Sequence, residues 1–235
     1  GTARPRRSGL LLFVALGLSI ALVNATYYVA IDRLPVAVAV VVQYTAPVLV
    51  VAYAATRSRK RPSKEVSLAL AGAVAGVLLV SELPAGDVGR LDGWGLIVAL
   101  CSAFFFASYT LLSEQAAAEH GTVEAMFRAF VVASVFWILF QIPRGWPEDL
   151  VSSSNLPEVL YIGVAGTLAP FLLFVWGTQR VRSERAAIAA TLEPVLAAVI
   201  AWTYLNQTLS VMQVTGGVMV VGAVLSLHTR RAPEP

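Results

Sequence analysis

Charge is scarce in this chain: Asp, Glu, Lys and Arg make up 13% of its 235 residues, against about 25% in a soluble domain. The apolar residues, 57% of the total at a mean hydropathy of +0.74, come in long runs. That excludes a soluble domain with one core and points to a polytopic membrane protein. The one cysteine, Cys101, sits inside an apolar run, so neither an intrachain disulfide nor a cysteine metal site is available. The two histidines, His120 and His228, fall between runs, which leaves Ser–His hydrolysis at membrane depth without its base. Phosphate-loop, zinc-cluster and dinucleotide patterns are absent. The formal charge of +3 is spread between runs with no basic soluble module, which excludes a nucleic-acid partner. The expectation is no enzyme, no catalytic residue, no metal and no cofactor.

What is present is a series of apolar segments near the ~20 residues that cross a bilayer. They run Gly9–Ile31, Pro35–Ala55, Val66–Leu83, Gly93–Leu112, Val123–Ile142, Val159–Thr178, Ala186–Leu205 and Val211–Leu227. Hydrocarbon offers no partner for free backbone groups, so each is expected to be helical. The fold class is therefore all-α membrane protein with eight transmembrane helices. Arg4, Arg6 and Arg7 ahead of Gly9 have the look of a signal. The run that follows is too long for a signal core and lacks a cleavage site, so it reads as a span. Gly72 and Gly76 form a small-xxx-small face suited to close helix packing. Asn24-Ala25-Thr26 and Asn206-Gln207-Thr208 match the glycosylation pattern, but lie inside or against the membrane.

Basic residues fix the orientation. With the N-terminus in the cytoplasm, the cytoplasmic segments hold Arg4, Arg6, Arg7, Arg57, Arg59, Lys60, Arg61, Lys64, Arg180, Arg182, Arg185, Arg230 and Arg231, 13 of the 17 Lys and Arg. Arg33, Arg90 and Arg144 fall on the far side, where the loop from Glu82 to Asp92 is acidic; Arg128 opens the fifth span. The C-terminus is then cytoplasmic, and the Arg57–Lys64 run reads as a topology signal in contact with lipid headgroups.

One segment occurs twice. Asn24–Ala54 aligns without a gap on Phe171–Ala201 at a constant offset of 147 residues, the separation of Pro47 from Pro194, and Arg33 falls on Arg180. The first copy opens on a span running outward and the second on a span running inward, so the copies are inverted. Inverted repeats about a midplane site are the usual trace of a transporter working by alternating access.

Ala186-Ala187-Ile188-Ala189-Ala190-Thr191-Leu192-Glu193-Pro194-Val195-Leu196, then Trp202, Leu205 and Gln213–Gly222, with the weaker counterpart Gln43-Tyr44-Thr45-Ala46-Pro47-Val48, resemble the drug/metabolite transporter superfamily, specifically its EamA-type membrane domain. The resemblance covers nearly the whole chain. It implies a ten-helix bundle in two inverted five-helix halves, of which the first two helices, roughly 60 residues with their loops, are absent from this chain. The implied division is 1–85 as the last three helices of the first repeat, 86–92 as an extracytoplasmic linker, 93–230 as the second repeat and 231–235 as a cytoplasmic tail. The family often carries a Gly-Glu pair beyond the proline; here the glutamate positions hold Lys60 and Gln207, so a role tied to that acid does not carry over.

The candidate substrate or coupling residues are Glu193, Gln43, Asn24, Tyr27, Tyr44 and Tyr109. Glu193 falls midway along its span, where an ionised form is costly unless paired or hydrated. It is a candidate for proton coupling, against a reading as a protonated bridge to a neighbouring helix. Asn24, Tyr27, Tyr28 and Ile31 recur at helical spacing, Gln43 and Tyr44 extend that face, and Ser102, Phe105, Phe106 and Tyr109 repeat it. Such faces suit a cavity for a small amphipathic solute; the competing reading is packing, or interfacial anchoring for Tyr28 and Trp176. Pro47 and Pro194 are expected to kink their helices by freeing the carbonyls of Gln43 and Ala190. Arg128 reads as a residue snorkelling to headgroups, with a substrate carboxylate as the alternative.

The expected function is secondary transport of a small organic metabolite, an amino acid or similar compound, in the export direction. The substrate class comes from the resemblance. Alternatives are a multidrug or nucleotide-sugar type carrier, or a non-transporting membrane scaffold or fragment. The expected partners are a small-molecule solute and the lipid bilayer, with protons and a second copy of the chain as further candidates. The expected location is the inner (plasma) membrane.

Overall fold

The structure, a computed structural model, describes residues 7–83, 91–145, 152 and 154–228. Arg4, Arg6, Arg90, Arg230, Arg231, residues 86–90 of the expected linker and the expected tail 231–235 lie outside the described residues. The helices are α1 (Arg7–Arg33), α2 (Val36–Gln43), α3 (Ala46–Ser58), α4 (Lys64–Val80), α5 (Gly93–His120), α6 (Thr122–Gln141), α7 (Leu156–Gly163), α8 (Ala169–Thr178), α9 (Ser183–Ala190), α10 (Leu192–Tyr204) and α11 (Val211–His228). A 3-10 turn, Ile142–Arg144, follows α6, and a π-helical segment, Val164–Leu168, joins α7 to α8. Among the described residues there is no strand.

Six helical stretches are long and apolar enough to cross a membrane: Gly9–Arg33, Val36–Ser58, Gly93–His120, Thr122–Arg144, Leu156–Thr178 and Ser183–Tyr204. Together with the shorter apolar α4 and α11 they make this an all-α, multi-pass membrane protein. Two boundaries differ from the sequence expectation for physical reasons. α5 runs on past Leu112 to His120, because Glu114-Gln115-Ala116-Ala117-Ala118-Glu119 are good helix formers. It stops at Gly121, which takes φ of 83°. The stretch Leu156–Thr178 is not one regular helix. Its π segment directly precedes the Ala169-Pro170 pair that opens α8, and the Thr167 hydroxyl donates to the Ile162 carbonyl at 3.1 Å. Pro170 has no amide to close the regular ladder, so a local π adjustment takes it up.

The chain forms two compact units. One comprises Val23–Ala107 and Ser183–Pro235. Its tightest pairing is α4 on α11. Gly76 and Gly216 let the backbones meet: a Cβ at Gly76 would lie 2.8 Å from the Gly216 carbonyl, and one at Gly216 would lie 2.6 Å from the Gly76 carbonyl. Ala69 and Ala73 of α4 extend this core with Ile188 of α9 and Ala223, Val224 and Leu227 of α11. Helix ends are capped locally. The Ser63 hydroxyl accepts from the Val66 amide at 3.3 Å ahead of α4. Ser210 and Gln213 cap each other's amides ahead of α11. The Arg185 guanidinium donates to the Leu227 carbonyl at 2.9 Å, a cation at a helix C-terminus. A second core joins Ala30, Leu34, Val38, Ala39 and Ala99. At its edge the Arg33 guanidinium donates to the Asp92 carboxylate at 3.2 Å, and Asp92 also accepts from the Trp94 amide at 3.0 Å. The hydrogen bond from Arg33, aided by that from Trp94, holds the Asp92 carboxyl below its ordinary value.

The other unit comprises Gly1–Leu22 and Ser108–Arg182. Gly17 of α1 packs under α6, where an added Cβ would lie 2.5 Å from the Ala129 carbonyl. Tyr109 is buried between Phe171 and Phe174, with ring centroids at 5.2 and 5.5 Å. Arg128 lies over the Phe13 ring at 4.8 Å and pairs with Glu124 at 2.6 Å, so its charge is engaged within α6. Trp176 is exposed, with the Arg180 guanidinium stacked on its ring.

Candidate functional site

Both proline-bearing spans are interrupted, and the interruptions lie in the same compact unit. α2 ends at Gln43 and α3 begins at Ala46, so Pro47 is the second residue of the new helix. α9 ends at Ala190 and α10 begins at Leu192, which makes Pro194 its third residue. Proline lacks an amide, and the first turn of a helix is where that is tolerated. Each break also holds a threonine whose hydroxyl turns back on the preceding turn. Thr45 donates to the Val42 carbonyl and Thr191 to the Ile188 carbonyl, both at 2.6 Å. Each of those carbonyls also accepts the threonine's own backbone amide at 3.1 Å, so the hydroxyl adds a second bond and is itself satisfied at membrane depth, where water is not available to do so.

The break in α2–α3 places Tyr44 where it reaches α10. Its phenol donates to Glu193 Oε2 at 2.7 Å, across 149 residues of sequence. Tyr44 is 6% exposed and packs with Val77 and Val220, with Phe106 edge-on at 6.3 Å between ring centroids. Glu193 is exposed, and among the described residues none donates to its second oxygen. Tyr27 of α1 stands within electrostatic reach of both Glu193 and Tyr44. The outcome is one carboxylate anchored through one oxygen by a buried tyrosine.

A second chain of hydrogen bonds lies in the same unit. The Gln43 amide donates to the Ser102 hydroxyl at 3.0 Å, and that hydroxyl donates to the Val23 carbonyl at 3.2 Å. Ser102 is fully buried, and its hydroxyl joins α1, α2 and α5. Asn24, next along α1, is half-buried. Of the residues singled out from sequence, the structure thus groups Tyr27, Tyr44 and Glu193, and ties Gln43 to Ser102 beside Asn24. Tyr109 belongs to the other compact unit, in the cluster with Phe171 and Phe174. Thr45 and Thr191 were not legible as site residues. Their only sequence signal is a hydroxyl two or three positions ahead of a mid-span proline.

Nothing in this arrangement suits a resident metal: among the described residues no three His, Cys, Asp or Glu side chains come together. A groove of about 430 Å³ lies along α10 and α11, lined by Val195, Val199, Val214, Val218 and Val221 with Gln213 as a polar member. It lacks convergent polar groups and suits hydrocarbon better than an amphipathic solute.

Comparison with known proteins agrees with this picture. The model of the EamA-like transporter family matches residues 2–82 and 93–229. The threonine/homoserine exporter RhtA of Salmonella typhimurium strain SL1344 is 28% identical over 235 residues, covering 99% of this chain and 75% of that protein. The Escherichia coli K12 protein of the same name is also 28% identical, over 95% of this chain and 70% of its own length. The pseudopaline exporter CntI of Pseudomonas aeruginosa strain UCBPP-PA14 is 27% identical over 94% of this chain and 76% of that one. A solved crystal structure shares the fold with a TM-score of 0.72 at 18% identity, over 97% of this chain and 88% of that one. Matched on both sides of the segment 83–92 and built as a bundle of apolar helices, the chain belongs to the EamA-like transporter family.

Proposed function

We propose that this chain exports a small amino-acid-like metabolite by alternating access between two inverted repeats, 1–85 and 93–230, with Glu193 at the solute or coupling site. As a member of a transporter family its partners are a small solute and the bilayer. The finer assignment draws on relatives named as exporters of threonine and homoserine or of pseudopaline. The observation that carries it is the Tyr44–Glu193 hydrogen bond, which links the two proline-interrupted spans through an acid midway along the second. An acid at that depth is a functional residue by default, because burying it has a cost that packing alone does not offset. Gln43, Asn24, Tyr27, Tyr44 and Tyr109 are the further substrate or coupling candidates in this reading, and Pro47 and Pro194 supply the flexing points. A cytoplasmic C-terminus in the inner membrane, proton coupling and assembly with a second copy belong to the same reading.

The test is flux in proteoliposomes with a panel of radiolabelled amino acids, including threonine and homoserine. Glu193→Gln should lower flux about tenfold to a hundredfold, the scale of one lost charged interaction, while insertion and yield stay at wild-type level. Wild-type flux in Glu193→Gln, with wild-type dependence on a proton gradient, would remove Glu193 from the mechanism.

A further inference from the structure

Resting on the transport reading above, we propose that Glu193 receives the protonated amine of the solute, and that this amine, not a carboxylate, is the group the site selects. The first support is the distribution of charge. In the unit that holds Glu193, the other charged residues described sit at or beyond helix ends. Asp32 and Arg33 close α1, and Asp92 precedes α5. Arg57, Arg59, Lys60, Arg61, Lys64 and Glu65 border the turn between α3 and α4, while Glu82 follows α4. Glu184 and Arg185 open α9. Between those ends Glu193 is the one ionisable acid, and no described lysine, arginine or histidine of the unit shares its depth. Among the described residues of the unit, a carboxylate entering the site would find no cation at that depth, whereas an ammonium would meet the Glu193 carboxylate.

The second support is geometric. Tyr44 fixes Oε2 at 2.7 Å, and Tyr44 is itself held by packing against Val77 and Val220. A carboxylate oxygen accepts hydrogen bonds, and among the described residues none donates to Oε1, which is left as an acceptor for an incoming donor. An ammonium brings three donors and a charge. The third is the state of the neutral donors. The Gln43 amide already commits one of its two N–H donors to Ser102, which leaves it less able to read a carboxylate in two-point fashion. The site therefore tolerates loss of the solute's carboxylate and does not tolerate loss of its amine.

The experiment is equilibrium binding of tritiated threonine to the purified full chain in detergent, displaced by two analogues. Threoninol keeps the amine and carries a hydroxymethyl group in place of the carboxylate. N-acetylthreonine keeps the carboxylate and has no ionisable amine. Threoninol should displace within about threefold of threonine, and N-acetylthreonine at least about tenfold more weakly, the loss of one charged hydrogen bond. Glu193→Gln should abolish that preference, and Glu193→Asp should restore part of it. Equal displacement by N-acetylthreonine, failure of threoninol, a preference that survives Glu193→Gln, or no binding of threonine at all would each overturn the proposal. Flux of a solute without an amine would also overturn it and leave the transport reading standing. Amine binding without flux of any panel metabolite would do the reverse.

Discussion

Gly76→Ala probes how α4 and α11 are held together. Lipid tails are as apolar as the helices, so this pair is held by close van der Waals contact and not by exclusion from water. A Cβ at Gly76 would stand 2.6 Å from Val220 Cγ2, 2.8 Å from the Gly216 carbonyl oxygen and 3.0 Å from the Val220 nitrogen. Two of those atoms are backbone, so no rotamer change relieves the clash and the helices must part. Overpacking of this kind costs about 1–3 kcal/mol. Alanine recovers roughly 1 kcal/mol of helix propensity relative to glycine. Gly72→Ala is the matched control on the same helix: its Cβ would meet only Ala223 Cβ, at an ordinary 3.5 Å. Both variants share the propensity gain, so the difference between them isolates the clash, about 1–3 kcal/mol. At roughly 2–4 °C per kcal/mol for a chain of this size, Gly76→Ala should melt well below Gly72→Ala. Thermal unfolding of detergent-solubilised protein, read by fluorescence-detected size exclusion, measures this. Gly216→Ala should behave like Gly76→Ala, because its Cβ would lie 2.6 Å from the Gly76 carbonyl and 2.7 Å from the Val80 nitrogen. Gly76→Ala melting at or above Gly72→Ala would refute the close approach.

The remaining predictions concern hydrogen bonds. Ser102→Ala takes away the partner of the Gln43 amide and should cost about 1–3 kcal/mol; adding Gln43→Leu should recover part of it, seen as non-additivity in a double-mutant cycle. Thr191→Val removes the second hydrogen bond to the Ile188 carbonyl, the one from the Thr191 hydroxyl, and should lower stability by about 0.5–1.5 kcal/mol, with Thr191→Ser close to wild type in the same melting assay. The Arg33–Asp92 pair is exposed on both sides, so its contribution should shrink in high salt. The Asp92 carboxyl is held below the ordinary 3.8. Its contribution is therefore fully present above that value and lost as pH falls through the lower folded-state value. An acid titration of unfolding should show this loss in the wild type and not in Asp92→Asn; identical acid limbs would dismiss the pair.

The sequence by itself determined the class of molecule. Long uncharged runs can cross a bilayer only as helices, because no other open structure satisfies its own backbone there. It also determined where to look. An acid midway along an apolar run is conspicuous on its own, and so are Pro47 and Pro194 once the two copies are aligned. What only the tertiary structure decided is which of these residues meet. Tyr27, Tyr44 and Tyr109 look alike in sequence, yet the first two gather near Glu193 while Tyr109 stacks with Phe171 and Phe174 in a different compact unit. Ser102 stood on a candidate cavity face, but its bonds to Gln43 and Val23 were hidden, as were those of the two break-point threonines, since a hydroxyl in an apolar run has no signature until its partner is known. The same holds for glycine: Gly72 and Gly76 are one pattern in sequence, and only the path of α11 makes one a spacer and the other a contact. Periodicity and hydropathy are local properties, which a chain displays along its length. Hydrogen-bond partners and close approaches are set by how distant helices cross, and that follows from packing over the whole bundle.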